Sequence, residues 1–433
     1  MKRIHCLLVL LAGLLALPAQ AAPAIQHWVT PEGVRVYFIE NHDLPILDLE
    51  IDFAAGGAYA PATKAGLAGL TNGLLDGGIE GLDEEQIAGR LVDLGARLGA
   101  AVDADRASLS LRTLSSATER DGALDLMQRI LTHPVFPEAI VEREKARAIA
   151  ALQEADTRPD AIGSKRFMAA LYPGHPYGVT PTVDTVARIT RDDLIAFHQR
   201  YYAARRAVVS LIGDVSRGEA EALVRRLTAG LPAGVADAGL PPVSLPDAAT
   251  IRIPHPAAQS HIWIGMPALK RGDPDSYALQ VGNYTLGGGG FVSRLMKEVR
   301  EKRGYAYSVY SGFSARREMG PFQIGLQTKR EQSADALKVV DGVLSGFLHD
   351  GPTPAELEAA KRNLADSLAL RTDSNAKLLG YLAVIGFYGL PLDYLDTYPA
   401  RIRAVTADEV RAAFARHVEA SHLVTVIVAG DAR

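Results

Sequence analysis

The chain predicts an α+β fold built from two duplicated halves, and three observations carry that prediction. Motifs recur in the same order in two regions about 215 residues apart, each half reads as strands, then helices, then a closing strand, and an aperiodic stretch separates them.

Taken in order, Met1-Lys-Arg3, an apolar run from Cys6 to Leu17 and Pro18-Ala-Gln-Ala21 have the charged, apolar and small-residue order of a secretory signal peptide, with cleavage expected after Ala21. The run is too short to span a bilayer. Cys6 is the only cysteine and leaves with the leader, so the mature chain is expected to have no thiol chemistry, disulfide or cysteine metal ligand. Loss of Lys2 and Arg3 takes the formal charge from −4 to −6, and no basic patch invites nucleic acid. The 412 residues after position 21 suffice for more than one packed core.

The first half is expected over residues 22–230. Gly33–Ile39, Ile46–Phe53 and Ala107–Leu114 alternate as strands do. Helical repeats follow: Ala123–Leu131 is echoed by Ala336–Leu344, Pro137–Lys145 by Pro354–Lys361, and Ile189–Leu194 by Val405–Val410. Thr190 and Thr406 each precede acidic residues, as at a capped helix start. The closing strands Val208–Asp214 and Val424–Asp431 both end in Gly-Asp. Leu231–Pro246 is rich in Pro, Gly and Ala, so a linker is expected over 231–249 and the second half over 250–433. Its strands are expected at Thr250–Ile253, His261–Met266, Ala306–Tyr310 and Phe322–Gln327.

The most informative stretch is Leu286–Phe313, where Gly287, Gly288, Gly289 and Gly290 precede Arg300 and Tyr307, seven residues apart at a helix-to-strand junction. On residue chemistry alone, Arg300–Arg303 reads as a charged helix end and Tyr307 as a strand aromatic. The glycine run is no phosphate cradle, because no Gly-Lys-Ser/Thr follows it. It reads as a flexible loop before a helix, either a plain entry turn or a place where a peptide backbone comes close.

Together with Ile51–Tyr59, the helix expected over Gly66–Asp76 and Gly174-His-Pro-Tyr-Gly178, this stretch resembles the insulinase-type (pitrilysin, inverzincin) metallopeptidases, in particular bacterial two-chain members similar to mitochondrial processing peptidase. The resemblance covers essentially the whole mature chain and implies paired α/β-roll domains in a clam-like arrangement. Active members carry His-x-x-Glu-His on the helix matched here by Gly66–Asp76. Histidines at i and i+4 hold zinc from one helix face, and the glutamate serves as general base. The corresponding positions are Gly69, Asn72 and Gly73, which offer neither imidazole nor carboxylate. Glu142, near the position implied for a third ligand, reads as part of a solvated helix face with acid–base pairs. Gly69 and Gly73 are expected to cost about 1 kcal/mol each in a helix, and close approach of another helix or a partner would explain them. No two of the 11 histidines stand three or four apart; His417/His422 and His255/His261 come nearest, and both pairs read as ordinary hydrogen-bonded residues.

In that family an arginine and a tyrosine at the spacing of Arg300 and Tyr307 contact the substrate backbone and the oxyanion of the tetrahedral intermediate. The resemblance therefore implies a non-catalytic, periplasmic subunit of a heterodimeric zinc peptidase. It would carry no metal of its own, and a homologous partner with His-x-x-Glu-His would supply the zinc. Substrate peptide would lie as an added strand on a sheet edge. A peptide-binding or chaperone-like pseudoenzyme and a structural assembly subunit are the alternatives, and the retained Arg300/Tyr307 pair argues against the last.

Overall fold

The computed structural model describes residues 24–429; the segment expected to be a leader and the Gly430-Asp431 expected to end the second closing strand lie outside the described residues. The first half contains β1 (Gln26–Val29), β2 (Arg35–Glu40), β3 (Ile46–Phe53), α1 (Leu67–Gly73), β4 (Gly78–Ile79), β5 (Leu82–Asp83), α2 (Glu84–Asp93), β6 (Arg97–Val102) and β7 (Ala107–Leu114). Next come α3 (Ala117–Thr132), α4 (Glu138–Ala155), α5 (Pro159–Leu171), α6 (Val183–Ala187), α7 (Arg191–Tyr201), β8 (Ala207–Gly213) and α8 (Arg217–Thr228).

Residues 231–248 form neither strand nor helix. The second half contains β9 (Ala249–Pro254), β10 (Gln259–Leu269), α9 (Ser276–Asn283), β11 (Ala306–Phe313), β12 (Gly320–Lys329) and α10 (Ser333–Asp350). It ends with α11 (Pro354–Asp366), α12 (Leu368–Arg371), α13 (Asn375–Tyr388), α14 (Tyr394–Ala404), α15 (Ala407–His417) and β13 (Val424–Ala429). No helix among the described residues is long and apolar enough to cross a membrane.

The duplication is explicit in the sheets. The first runs β1-β2-β8-β3-β7-β6 and the second β11-β12-β10-β13-β9. Read from the β2 and β9 ends, the two share one topology, with a single parallel pair in each, β2 with β8 and β9 with β13. The repeated helices correspond as well: Thr190 and Thr406 close capping boxes with Asp193 and Glu409 at the starts of α7 and α15. Two strands carry no clear pattern in sequence: β1, added at one edge, and β6, whose Arg-Leu-Gly-Ala-Ala-Val lacks β-branched alternation.

Each sheet buries one face against its own helices. The other face is covered by a helix from the opposite half. α5 lies across β10 and β13, placing Phe167 and Leu171 beside Val426 and Val428. α13 lies across β2, β3 and β8, placing Leu382 and Ile385 against Tyr37, Ile39 and Val208. A glycine permits close contact in both cases, because a Cβ on Gly163 would overlap the Trp263 ring and one on Gly386 would meet Tyr37 and Val208.

Candidate functional site

Helix α1 is entered through Gly66, whose φ of 105° is readily adopted only by glycine, and runs from Leu67 to Gly73, shorter than the Gly66–Asp76 span expected from sequence. Gly69 inside the helix and Gly73 at its last position weaken it, and Gly77-Gly78 turns the chain into β4. Gly69 and Gly73 sit on an exposed face where an added Cβ would meet nothing within 4 Å, so no element among the described residues exploits them for close approach.

Asn72 is buried and turned away from that face. Its Nδ2 donates to Ala101 O and Ser108 O, each at 3.1 Å, and its Oδ1 accepts from Tyr202 Oη at 2.8 Å. Burial holds the Tyr202 phenol well above its ordinary pKa, so it remains a proton donor. All three functions of the amide are thus consumed in tying α1 to β6 and β7. Sequence identified Asn72 as a lost general base and missed its structural role; a short polar residue between Thr71 and Gly73 gives no signal of one.

These positions do not fit a zinc ion: two lack side chains and the third is fully engaged. Glu142 is exposed on α4 and pairs with Lys145 at 2.9 Å, as its spacing suggests. The histidine pairs do not converge. His422 Nδ1 meets Pro246 O at 2.7 Å, His255 Nε2 meets Thr157 O at 3.1 Å, and His417 Nδ1 meets Ala268 O at 2.9 Å. Among the described residues Asp273, Asp275 and His417 form the one cluster of metal-ligand type. Arg416 already binds Asp275 through two nitrogens at 2.8 and 2.9 Å, supplying the positive charge there.

Helix α9 continues into a widened turn over Tyr284–Gly288, a tight turn over Gly290–Val292 and a second widened turn over Met296–Glu301 before β11. The glycine run is therefore not open along its length. A Cβ at Gly287 would lie 2.5 Å from Ser311 N, and one at Gly289 would lie 2.6 Å from Tyr284 O. Only Gly290 faces open space, with φ +61°.

Arg300 and Tyr307 come together as neighbours. The Arg300 guanidinium lies 4.6 Å from the Tyr307 ring centroid and 4.8 Å from that of Phe291. Tyr307 is 83% exposed and Phe291 63%. Among the described residues Arg300 has no carboxylate within ion-pair distance, unlike Arg303, which pairs with Glu298. Tyr307 sits where the β11–β12 register slips between Ala306 and Val309, on the edge strand of the second sheet. Beside it lies a groove of about 320 Å³, walled in part by Trp263, Tyr305 and Tyr310. Phe291 went unread in the sequence because nothing in Gly290-Phe-Val292 says which side chain faces Arg300.

The family model described as insulinase (peptidase family M16) matches residues 35–182, and that described as peptidase M16 inactive domain matches residues 188–364. A crystal structure described as the peptidase M16 inactive domain from Pseudomonas fluorescens aligns with a TM-score of 0.91 at 39% identity, covering 94% of this chain and 98% of that one. The chain is similar to the non-peptidase homolog YmxG of Helicobacter pylori, at 26% identity over 98% of each. It is also similar to an uncharacterized zinc protease of Mycobacterium leprae, at 32% identity over 80% of this chain and 79% of the relative. The chain belongs to the insulinase-type M16 peptidase family, as a member without the His-x-x-Glu-His motif.

Proposed function

We propose that this chain is the non-catalytic subunit of a two-chain periplasmic zinc peptidase, contributing Arg300 and Tyr307 to a zinc site on a homologous partner. The observation that carries the proposal is the pairing of an unneutralised, half-buried arginine with an exposed tyrosine on a sheet edge, while the chain's own α1 offers no metal ligand. In this reading the partner provides the metal, its two histidines and the general-base glutamate.

The stacked Phe291 and Tyr307 rings restrict Arg300 without consuming its N–H donors, so its charge remains free for a substrate carbonyl in which negative charge develops. The Tyr307 hydroxyl supplies a second donor. Such donors lower an acyl-transfer barrier by about 3 kcal/mol each when correctly placed. The edge of β11 offers the substrate backbone a strand to pair with.

The test is peptidase activity and bound zinc on this chain, on a candidate partner carrying the motif, and on their mixture. Activity confined to the mixture, with zinc on the partner, is the expected result. Equal activity of the partner alone would favour the peptide-binding pseudoenzyme instead, a reading to which the aromatic-walled groove beside Tyr307 lends independent support.

A further inference from the structure

A second cavity, of about 690 Å³, lies between the halves and includes neither Arg300 nor Tyr307 in its lining. The turn at residues 103–106 closes it from the first half, and the end of β10, the start of α9 and the α13–α14 corner close it from the second. Besides Arg106, which is paired with Asp52 and Asp103, three arginines in its wall are each held against an aromatic ring. Arg271 lies 5.2 Å from the Tyr388 ring centroid and donates to Ala315 O at 3.0 Å. Arg316 lies 4.8 Å from the Tyr177 centroid and Arg401 5.5 Å from that of Tyr277.

Among the described residues none of these three arginines has a carboxylate within ion-pair distance, whereas Lys270 in the same wall is neutralised by Glu318 at 2.6 Å. The acids that reach the cavity are already engaged. Asp105 accepts from Tyr177 Oη, from Tyr388 Oη at 2.8 Å and from Arg317 N at 2.9 Å, so it links the halves. Asp103 is held by Arg106 Nε at 3.1 Å, and Asp273 caps Asp275 N at 2.8 Å and stands 3.8 Å from His417.

Phe313, Tyr277 and Tyr394 give the wall an aromatic part, and Leu269, Leu279 and Leu390 an aliphatic one. Burial raises the Tyr394 phenol to about 12, so its hydroxyl remains a donor. Through Arg271, Val384 and Tyr394 the cavity adjoins a groove of about 350 Å³. Arg371 in that groove keeps an Nε with no hydrogen-bond partner.

A guanidinium packed on an aromatic ring still presents its N–H edge, the geometry that receives a carboxylate through two parallel hydrogen bonds. The cavity falls in the size range of small-molecule sites and is too small for a folded partner. We propose that it binds a carboxylate carried on a short apolar or aromatic body, either the C-terminal carboxylate of a peptide or a free aromatic acid. The site shares no residue with the Arg300–Tyr307 face, so it stands independently of any zinc-bearing partner.

Calorimetric titration of the whole chain tests this with three probes: acetyl-Ala-Ala-Phe as the free acid, the same peptide as its C-terminal amide, and phenylpropionic acid. At least one acid is expected to bind once per chain, and the amide at least tenfold more weakly than its acid. Preference for the tripeptide identifies a peptide terminus as the source of the carboxylate, whereas equal binding of phenylpropionic acid identifies a free acid. Arg401→Ala removes an exposed side chain and is expected to weaken the bound acid about tenfold, the size of one charge-assisted hydrogen bond, with the thermal midpoint unchanged. Arg271→Lys keeps the charge but loses the planar fork and is expected to act in the same direction. No binding of either acid, equal affinity for the peptide acid and amide, or unchanged affinity in both variants would overturn the proposal.

Discussion

The two halves of this molecule share one topology, so α1 and α9 stand in equivalent places, and their contrast is instructive. Each helix holds its edge strand through an asparagine near its C-terminal end. Asn72 binds Ala101 O in β6, while Asn283 donates to Ser311 O in β11 at 3.1 Å and accepts from Ser311 Oγ at 2.6 Å. The outward surfaces differ completely. Around α1 the positions that would hold a metal are bare glycines, whereas beyond α9 Arg300, Phe291 and Tyr307 assemble a charged aromatic face. Side chains that support the fold are present in both halves, and of these two faces the one beyond α9 carries the charged and aromatic groups.

Four sets of substitutions, seven in all, break or sharpen that contrast, the first set with the largest effect. If the face beyond α9 completes a partner's site, Arg300→Ala lowers kcat/KM of the mixture by about 10²-fold while complex formation persists, and Tyr307→Phe lowers it by a similar factor. Steady-state kinetics at matched subunit ratios check this, and undiminished rates in both variants would refute the proposed role.

Gly287→Ala drives a methyl against Ser311 N and is expected to cost about 1–3 kcal/mol in urea unfolding. Asn72→Ala strands Tyr202 Oη and two carbonyls, costing about 1–3 kcal/mol; Asn283→Ala, less deeply buried, is expected to cost less in the same assay. Gly69→Ala and Gly73→Ala face open space within helical backbone and are each expected to stabilise by about 0.5–1 kcal/mol, visible as a raised melting temperature. A loss of stability there would show that the bare face is packed against something in solution.

Much of this architecture was legible in the chain. Ile46–Phe53 and Ala107–Leu114 alternate because Leu47, Leu49, Ile51 and Phe53, and likewise Ala107, Leu109 and Leu111, face the first half's own core, and their observed ends coincide with the sequence pattern. The repeated Thr-x-x-acid starts of α7 and α15 revealed the duplication before the sheets did. What stayed hidden depends on tertiary neighbours. The edge strand β6 is Gly/Ala-rich and mostly exposed, so periodicity has nothing to report. The glycines before Arg300 read as a flexible loop, yet the packing of Ser311 and Tyr284 makes glycine necessary at 287 and 289. The pairing of Arg300 and Tyr307 is what the family resemblance implied; the third member, Phe291, depends on the intervening turns.

The exchange of α5 and α13 between halves bears on the order in which the chain acquires its structure. The outer face of the first sheet, with Tyr37, Ile39, Val208 and Ile212, has its cover only when α13, ending at Tyr388, is available. An emerging first half therefore presents an apolar sheet surface to its surroundings for most of the time the second half takes to appear, and non-local pairing of this kind slows folding. A chain truncated before Asn375 has every strand of its first sheet and still lacks that cover. Chaperone demand should accordingly fall sharply once the chain extends past Tyr388.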